Sequence, residues 1–81
     1  MRCCVCGMSL CLDNELQLLA CPRHGVAEAR IERNPLWNGE IVELVGPALF
    51  NEDRYVVHFA SGKRRTVRVD RLTQVGMRLP A

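Results

Sequence analysis

The sequence lacks any long apolar run. No stretch approaches the ~20 consecutive apolar residues that a transmembrane helix needs, and the first residues do not contain the apolar segment of a secretory signal peptide. We therefore expect a cytoplasmic protein with no membrane partner. Internal repeats and low-complexity segments are also absent from the sequence.

Side chains for acid–base or nucleophilic catalysis are scarce. Such chemistry brings together at least two titratable groups. Of the two histidines in the chain, His24 belongs to a cysteine-rich motif, which leaves only His58 outside it. His58 alternates with Val57 and Phe59 in a strand-like segment, so we expect it to point outward or to lie at a rim. We predict that the protein is not an enzyme.

Aromatic residues are few: one tryptophan, one tyrosine and two phenylalanines. A core of this size needs most of them, which disfavours an aromatic cage for methylated side chains. Trp37, Phe50 and Tyr55 are the candidates for stacking on nucleic-acid bases. We expect Phe59 to be a core residue.

The five cysteines are an odd number, and all of them precede residue 22. Clustered cysteines in a reducing compartment indicate a metal site, whereas a secreted protein would favour a disulfide scaffold. Here one Cys-x-x-Cys pair and one Cys-x-x-His pair are each followed by glycine, which permits the positive φ of a tight turn beneath a metal. The residues predicted to bind one structural Zn²⁺ are Cys3, Cys6, Cys21 and His24.

Four protein ligands would complete a tetrahedron and leave no open position for substrate. Structural zinc contributes ~10–16 kcal/mol of apparent binding energy coupled to folding, and an 81-residue chain with a small core benefits from such a contribution. Cys4 either competes for the metal or is an unliganded residue of the first turn. Cys11 is most simply a small apolar side chain.

Residues 1–25 resemble a zinc ribbon, in which a hairpin connects two ligand-bearing turns. Two short apolar runs flank Asp13-Asn14 and predict that hairpin, and His24 replaces the fourth cysteine of the family. The segment 26–33 fits either a helix by propensity or a strand by alternation. We favour an extended strand or linker, because Asn34-Pro35 would stop a helix, and we assign residues 1–33 to the ribbon.

The remainder, residues 34–81, reads as several short strands separated by turns containing glycine, which is typical of a small barrel. The chain is therefore predicted to be all-β. We expect a turn at Gly46-Pro47 followed by a loop to Arg54, inward-pointing Val67 and Val69, and a frayed tail after Gly76. The predicted strands are 39–45, 55–59, 63–69 and 72–75.

Residues 36–75 resemble an SH3-like barrel of the Tudor or KOW type. The Tudor-like motifs are Trp37-x-Gly39-x-Ile41-Val42 and Tyr55-x-Val57-x-Phe59-x-x-Gly62; the KOW-like motif is Gly39-Glu40-Ile41-Val42-Glu43-Leu44 running into Gly46-Pro47. A zinc ribbon joined to such a barrel resembles small modules that bind nucleic acid or dock onto a larger machine.

Charge is distributed unevenly. Residues 1–53 carry four basic and eight acidic side chains, whereas residues 54–81 carry seven basic and one acidic. This gradient favours an anionic partner for the second half. Arginine is suited to bidentate phosphate contacts, and Arg54 would join the group if the strand register allows. The predicted nucleic-acid-binding residues are Lys63, Arg64, Arg65, Arg68 and Arg71.

The sequence supports two functions. The first is a small zinc protein that binds DNA or RNA, largely through phosphates, as an accessory or regulatory factor. The second is an adaptor that docks on a transcription, translation or nuclease machine, favoured by the acidic first half and by a pI of about 8.4, which is low for a nucleic-acid binder. A reader of methylated residues is a minor alternative.

Overall fold

The structure is a computed structural model that describes residues 1–79. Within these residues the chain forms seven antiparallel strands and a 3-10 helix, which confirms the all-β prediction. No helix in the described part is long and apolar enough to cross a membrane. The strands are β1 (Cys11–Asp13), β2 (Leu18–Cys21), β3 (Gly25–Ile31), β4 (Ile41–Ala48), β5 (Asn51–His58), β6 (Arg64–Arg68) and β7 (Leu72–Arg78), with the 3-10 helix Val69–Arg71 between β6 and β7.

All seven strands belong to one sheet that curls into a half-barrel. Six of them follow each other in chain order from β1 to β6, and β7 pairs with the other edge of β3. In the described residues β6 pairs with β5 alone, so its second edge is open. The predicted strands 39–45, 55–59 and 63–69 correspond to β4, β5 and β6.

Strand β3 is the centre of this sheet. Its first residues pair with β2, its later residues pair with β4, and its opposite edge pairs with β7 along its length. Four of its side chains are almost completely buried: Val26, Ala27, Ala29 and Ile31. Because this segment is paired on both edges and buried in the core, it is a strand and not a linker. The predicted domain boundary, between residues 33 and 34, follows β3, whose pairing links both predicted units.

The predicted hairpin is present as β1 and β2. Its turn is closed by Asp13, whose Oδ1 accepts hydrogen bonds from the backbone N–H groups of Glu15 and Leu16 at 2.9 and 3.0 Å. Asp13 O also accepts from the N–H of Gln17 at 2.7 Å. An aspartate that bonds its own turn in this way is a common turn-forming device. The hairpin ends at Cys21, which is the first residue of the second ligand pair.

The prediction of a turn at Gly46-Pro47 and of a loop after it is wrong. Strand β4 continues through both residues with register shifts on either side, and the chain turns at Leu49-Phe50. Proline has no N–H to donate, so a strand accommodates it at an irregularity in the ladder. The sequence therefore contains one long hairpin where we expected a strand and a loop.

Two expectations for the last third of the chain are also wrong. Val69 is 37% exposed because the strand ends at Arg68 and the backbone enters the 3-10 helix. Residues 77 and 78 do not belong to a frayed tail, since β7 extends to Arg78 and pairs with β3 from Leu72 onward. Residues 80–81 of the predicted tail lie outside the described residues. The hydrogen bonds that hold the end of β7 come from β3, a pairing that the sequence pattern did not reveal.

The hydrophobic core lies between the curled faces of the sheet. Its largest fully buried side chains come from β3, β4, β5 and β6, and Leu19 of β2 belongs to the same cluster. The N-terminal hairpin thus packs on the core of the half-barrel. The buried members are Leu19, Ala27, Ala29, Ile31, Val42, Leu44, Val57 and Val67.

Candidate metal centre and basic surface

The predicted ligands Cys3, Cys6, Cys21 and His24 come together in space. Their ligand atoms all lie within 4.8 Å of one another. The Sγ atoms of Cys6 and Cys21 are 3.7 Å apart, and His24 Nδ1 lies 3.5 Å from Cys3 Sγ and 3.6 Å from Cys21 Sγ. A disulfide would require about 2.0 Å between sulfurs, so the arrangement is a cluster of free thiols and one imidazole.

Backbone N–H groups point at the sulfurs of this cluster. The N–H of Val5 donates to Cys3 Sγ at 3.4 Å. Burial raises the pKa of the Cys21 thiol, but the N–H groups of Arg23 and His24 and the His24 imidazole outweigh it, and the pKa is lowered to about 6. Donors aimed at sulfur in this way stabilise thiolates, which are the form that binds metals.

Cys6 behaves differently from Cys21. The N–H of Met8 lowers the pKa of the Cys6 thiol. Burial and the neighbouring thiols of Cys21 and Cys3 raise it by more than this, so the pKa lies above its ordinary value. Negative charge on one sulfur opposes ionisation of the next when no cation is shared between them. A bound cation is what would allow all three thiols to ionise together.

Each ligand pair lies in a tight turn that ends in a glycine with positive φ, as the sequence predicts. Gly7 has a φ of 76° and Gly25 a φ of 88°. The first turn is closed by the Gly7 N–H, which donates to Cys3 O at 2.9 Å, and by the Cys3 N–H, which donates to Met8 O at 2.8 Å. The backbone therefore holds both sulfurs of the first pair on one side.

The two glycines differ in their surroundings, and this difference predicts unequal effects of substitution. A Cβ on Gly7 meets nothing within 4 Å, whereas a Cβ on Gly25 would overlap the backbone of Arg78 and Leu79. Alanine at positive φ costs ~1–2 kcal/mol. We expect Gly7→Ala to lower the free energy of unfolding by about that amount and Gly25→Ala by about 3 kcal/mol or more, because β7 must also move.

Urea unfolding of the zinc-loaded proteins measures this difference. Gly7→Ala is the matched control, because it carries the same backbone penalty next to the same metal centre. Equal losses in the two variants would contradict the close packing of β7 on residue 25.

The five predicted cations do not form one stripe. Strand β6 alternates its side chains, and its inner residue Val67 is 2% exposed. Arg64 and Arg68 lie on the outer face, opposite His58 and Arg54 of β5. We call Arg54, Arg64 and Arg68 the outer basic face.

Lys63 and Arg65 lie elsewhere, at one mouth of the half-barrel. Arg65 is opposite the inward-facing Val57, and both cations line a cavity of about 500 Å³ together with Trp37 and Phe59. We call this cavity the aromatic cleft; Glu40, Ala60 and Ser61 complete its lining. Arg71 is half-buried at the end of the 3-10 helix and belongs to neither group.

Sequence reasoning missed the cleft because Phe59 was expected to be a core residue. Phe59 is half-buried and packs against both Trp37 and the core. A signal was present: each aromatic residue stands two or three positions before a turn glycine, Gly39 or Gly62, which places both at the same end of the barrel.

His58 lies on the outer face as expected. Its Nδ1 is 3.3 Å from Glu43 Oε1 on the adjacent strand. Glu43 also pairs with Arg78, which lies 3.5 Å from Glu28 through its Nε. These side chains form a satisfied surface network, and only the strand register reveals it.

Comparison of the chain with protein-family models, curated proteins and solved structures found no match.

Proposed function

We propose that the protein is a non-enzymatic zinc protein that binds nucleic acid. The first support is the size of the ligand cluster. Zinc–sulfur and zinc–nitrogen bonds of about 2.3 and 2.05 Å in a tetrahedron place two sulfurs about 3.8 Å apart and a sulfur and a nitrogen about 3.5 Å apart. Three of the six separations between the ligand atoms, 3.7, 3.5 and 3.6 Å, agree with that geometry, and the other three lie within 4.8 Å.

The proposed role of the zinc is structural. Three sulfurs and one nitrogen fill a tetrahedron, whereas a catalytic zinc keeps one position for water. The metal would join the turn at Cys3 and Cys6 to the end of β2 at Cys21. The N-terminal segment before β1 would otherwise have few contacts to hold it.

The proposed architecture is a zinc ribbon followed by an SH3-like barrel. Its first support is the strand order β7-β3-β4-β5-β6. Its second support is the 3-10 helix between β6 and β7. We expect both features of an SH3-like barrel. In this proposal the barrel begins with β3, because β3 pairs with β4 and β7. The strand is then shared between the ribbon and the barrel.

The observation that carries the nucleic-acid proposal is the cross-strand pair Arg54 and Arg68. The two arginines are direct partners in the β5–β6 ladder, and like charges directly opposite each other destabilise a sheet. A bound polyanion would neutralise this repulsion, and the free energy released would contribute to its affinity. Arg64 lies further along the same face.

Carboxylates neutralise little of this outer basic face. Among the described residues its one ion pair joins Arg68 to Asp70 at 3.1 Å, and both side chains are about half exposed, so the pair is weak. By contrast, Arg78 is paired with two glutamates. Phosphates would therefore meet exposed guanidinium groups at Arg64 and Arg68 and a half-buried one at Arg54.

Fluorescence anisotropy with labelled duplex DNA, single-stranded DNA and RNA across a salt series tests the proposal. We expect micromolar or tighter binding that weakens steeply with salt, because phosphate contacts release counterions. Arg64→Glu/Arg68→Glu should weaken binding at least about tenfold and reduce the slope of log affinity against log salt by about 1.4–1.8.

Arg30→Glu/Arg33→Glu is the matched control, since it makes the same change in net charge at two exposed arginines outside the outer basic face and outside the ligand cluster. It should retain most of the affinity and the slope. Affinity that does not respond to salt, or equal losses in the two double variants, would contradict a phosphate-binding face.

A second candidate function, a protein-interaction adaptor, is favoured by the β4–β5 turn. Leu49 and Phe50 at its tip are 81% and 100% exposed, and Phe50 has a φ of 67°, which is strained for a bulky residue. An exposed apolar tip on a strained turn suits insertion into a partner. No nucleic-acid binding at low salt, together with a nuclease-resistant stoichiometric complex that Phe50→Ser abolishes, would favour this function.

A further inference from the structure

The aromatic cleft is a second feature of the barrel that the outer basic face does not use. Trp37 and Phe59 form one wall, with ring centroids 5.5 Å apart and ring planes inclined at 59°. Lys63 and Arg65 lie at the same cavity, together with Glu40. Its volume of about 500 Å³ lies within the range of small-ligand sites.

The backbone holds both aromatic residues in place. Asn34 Oδ1 accepts a hydrogen bond from the N–H of Trp37 at 3.0 Å, and the N–H of Gly39 donates to Ile31 O at 2.7 Å, which fixes the loop to the end of β3. On the Phe59 side of this wall, the N–H of Phe59 donates to Lys63 O at 2.9 Å. The cleft is therefore preorganised by short connections to the sheet.

We propose that the aromatic cleft binds an unpaired base of single-stranded nucleic acid, with the adjacent phosphates at Lys63 and Arg65. This proposal rests on the nucleic-acid binding proposed above and names the form of nucleic acid. Bases stack on exposed aromatic rings irrespective of sequence, and neighbouring cations hold the backbone. Both components are present within this one cavity.

The charges of the cleft distinguish this ligand from a methylated lysine. A cage for a cation needs aromatic rings and negative charge, but here two cations oppose the single carboxylate of Glu40. The cleft is therefore net positive and repels a quaternary ammonium group. The carboxylate accepts hydrogen bonds from the N–H groups at the edge of a base.

The ring geometry favours an unpaired base over a duplex. In a duplex both faces of every base are covered by its neighbours, whereas single strands expose them. Because the rings are inclined at 59°, a base stacks on one ring and meets the other at its edge. The open edge of β6 separates Arg65 in the cleft from Arg64 on the outer basic face, so one strand can contact both by passing over that edge.

Trp37 is the one tryptophan of the chain, so its fluorescence reports on the cleft directly. The test titrates zinc-loaded full-length protein with single-stranded DNA and RNA oligonucleotides of equal length, a duplex of the same length, inorganic tripolyphosphate and a trimethyllysine peptide. We expect both single strands to quench Trp37 and the other three probes to leave it largely unchanged. The two single-stranded probes then show whether DNA or RNA binds more tightly.

Variants separate stacking from charge. Trp37→Leu should lower the single-strand affinity about tenfold, measured by anisotropy of labelled oligonucleotide, and Trp37→Phe should restore much of it. Since Trp37 also packs on the core, Lys63→Ala/Arg65→Ala provides a second variant at exposed positions. It should reduce the ratio of single-strand to duplex affinity, whereas Arg30→Ala/Arg33→Ala, at two exposed arginines outside the cleft, should not.

The outcomes distinguish this inference from the proposed function. Binding of single strands by anisotropy without a change in Trp37 fluorescence, and without an effect of Lys63→Ala/Arg65→Ala, would overturn the cleft while nucleic-acid binding stands. Absence of binding to every nucleic acid would overturn both. Quenching by the trimethyllysine peptide alone would overturn the cleft proposal and would assign the cleft to a methylated cation, and the anisotropy measurements would show separately whether nucleic-acid binding stands.

Discussion

Removal of the metal is expected to unfold residues 1–24 and to lower the melting temperature of the whole protein. The hairpin β1–β2 has strands of three and four residues, too short to be stable alone. Structural zinc contributes ~10–16 kcal/mol of apparent binding energy, which is comparable to or larger than the ~5–15 kcal/mol stability of a whole domain. Because Leu19 belongs to the common core, loss of the hairpin also exposes the half-barrel.

Circular dichroism, thermal melting and amide hydrogen exchange before and after chelation measure this effect. Amides of the two ligand turns and of β1 and β2 should lose protection first, while those of β4 and β5, which supply no ligand, should retain more of theirs. Restoration by one equivalent of Zn²⁺ is the control. An unchanged spectrum and melting curve after complete metal removal would contradict a structural zinc.

Cys21→Ser is expected to damage the protein far more than Cys4→Ser. Cys21 is 1% exposed and is one of the four clustered ligands, so its loss removes a thiolate and leaves a poorly binding hydroxyl in a buried place. Cys4 is exposed and lies outside the cluster. We expect Cys21→Ser to abolish stoichiometric zinc binding and Cys4→Ser to retain one zinc per chain with a similar melting temperature.

Metal analysis of the purified variants, together with thermal melting, measures the contrast. Cys11→Ser is a further control, because Cys11 is exposed and lies outside the cluster. Equal loss of zinc in Cys4→Ser and Cys21→Ser would show that the ligand set is assigned incorrectly.

The ligand cluster and the hairpin were predictable because they depend on local chemistry. Two ligands separated by two residues and followed by glycine can meet one metal only through a tight turn, and Gly7 and Gly25 have the positive φ which that turn needs. The Asp13 turn is equally local, since the side chain bonds the backbone of the next residues. The burial of Val57 and Val67 followed from simple alternation.

The errors have a common cause in pairing between distant residues. The end of β7 and the continuation of β4 past Pro47 depend on partner strands that no local pattern reveals. The preference for an extended strand or linker over a helix at residues 26–33 agrees with β3, but its length and its two paired edges were not predictable from the local pattern. Val69 turned outward because the connection to β7 begins there.

By itself the sequence determined an all-β chain and the four residues of the ligand cluster, because spacing and alternation act over a few residues. Only the tertiary structure decided that Arg54 lies opposite Arg68 and that Arg65 joins Trp37 and Phe59 in a cleft. Strand register sets which side chains share a face, and a shift by one residue would exchange the two faces. Register is fixed by contacts between distant residues, so the two candidate binding surfaces exist only in the folded chain.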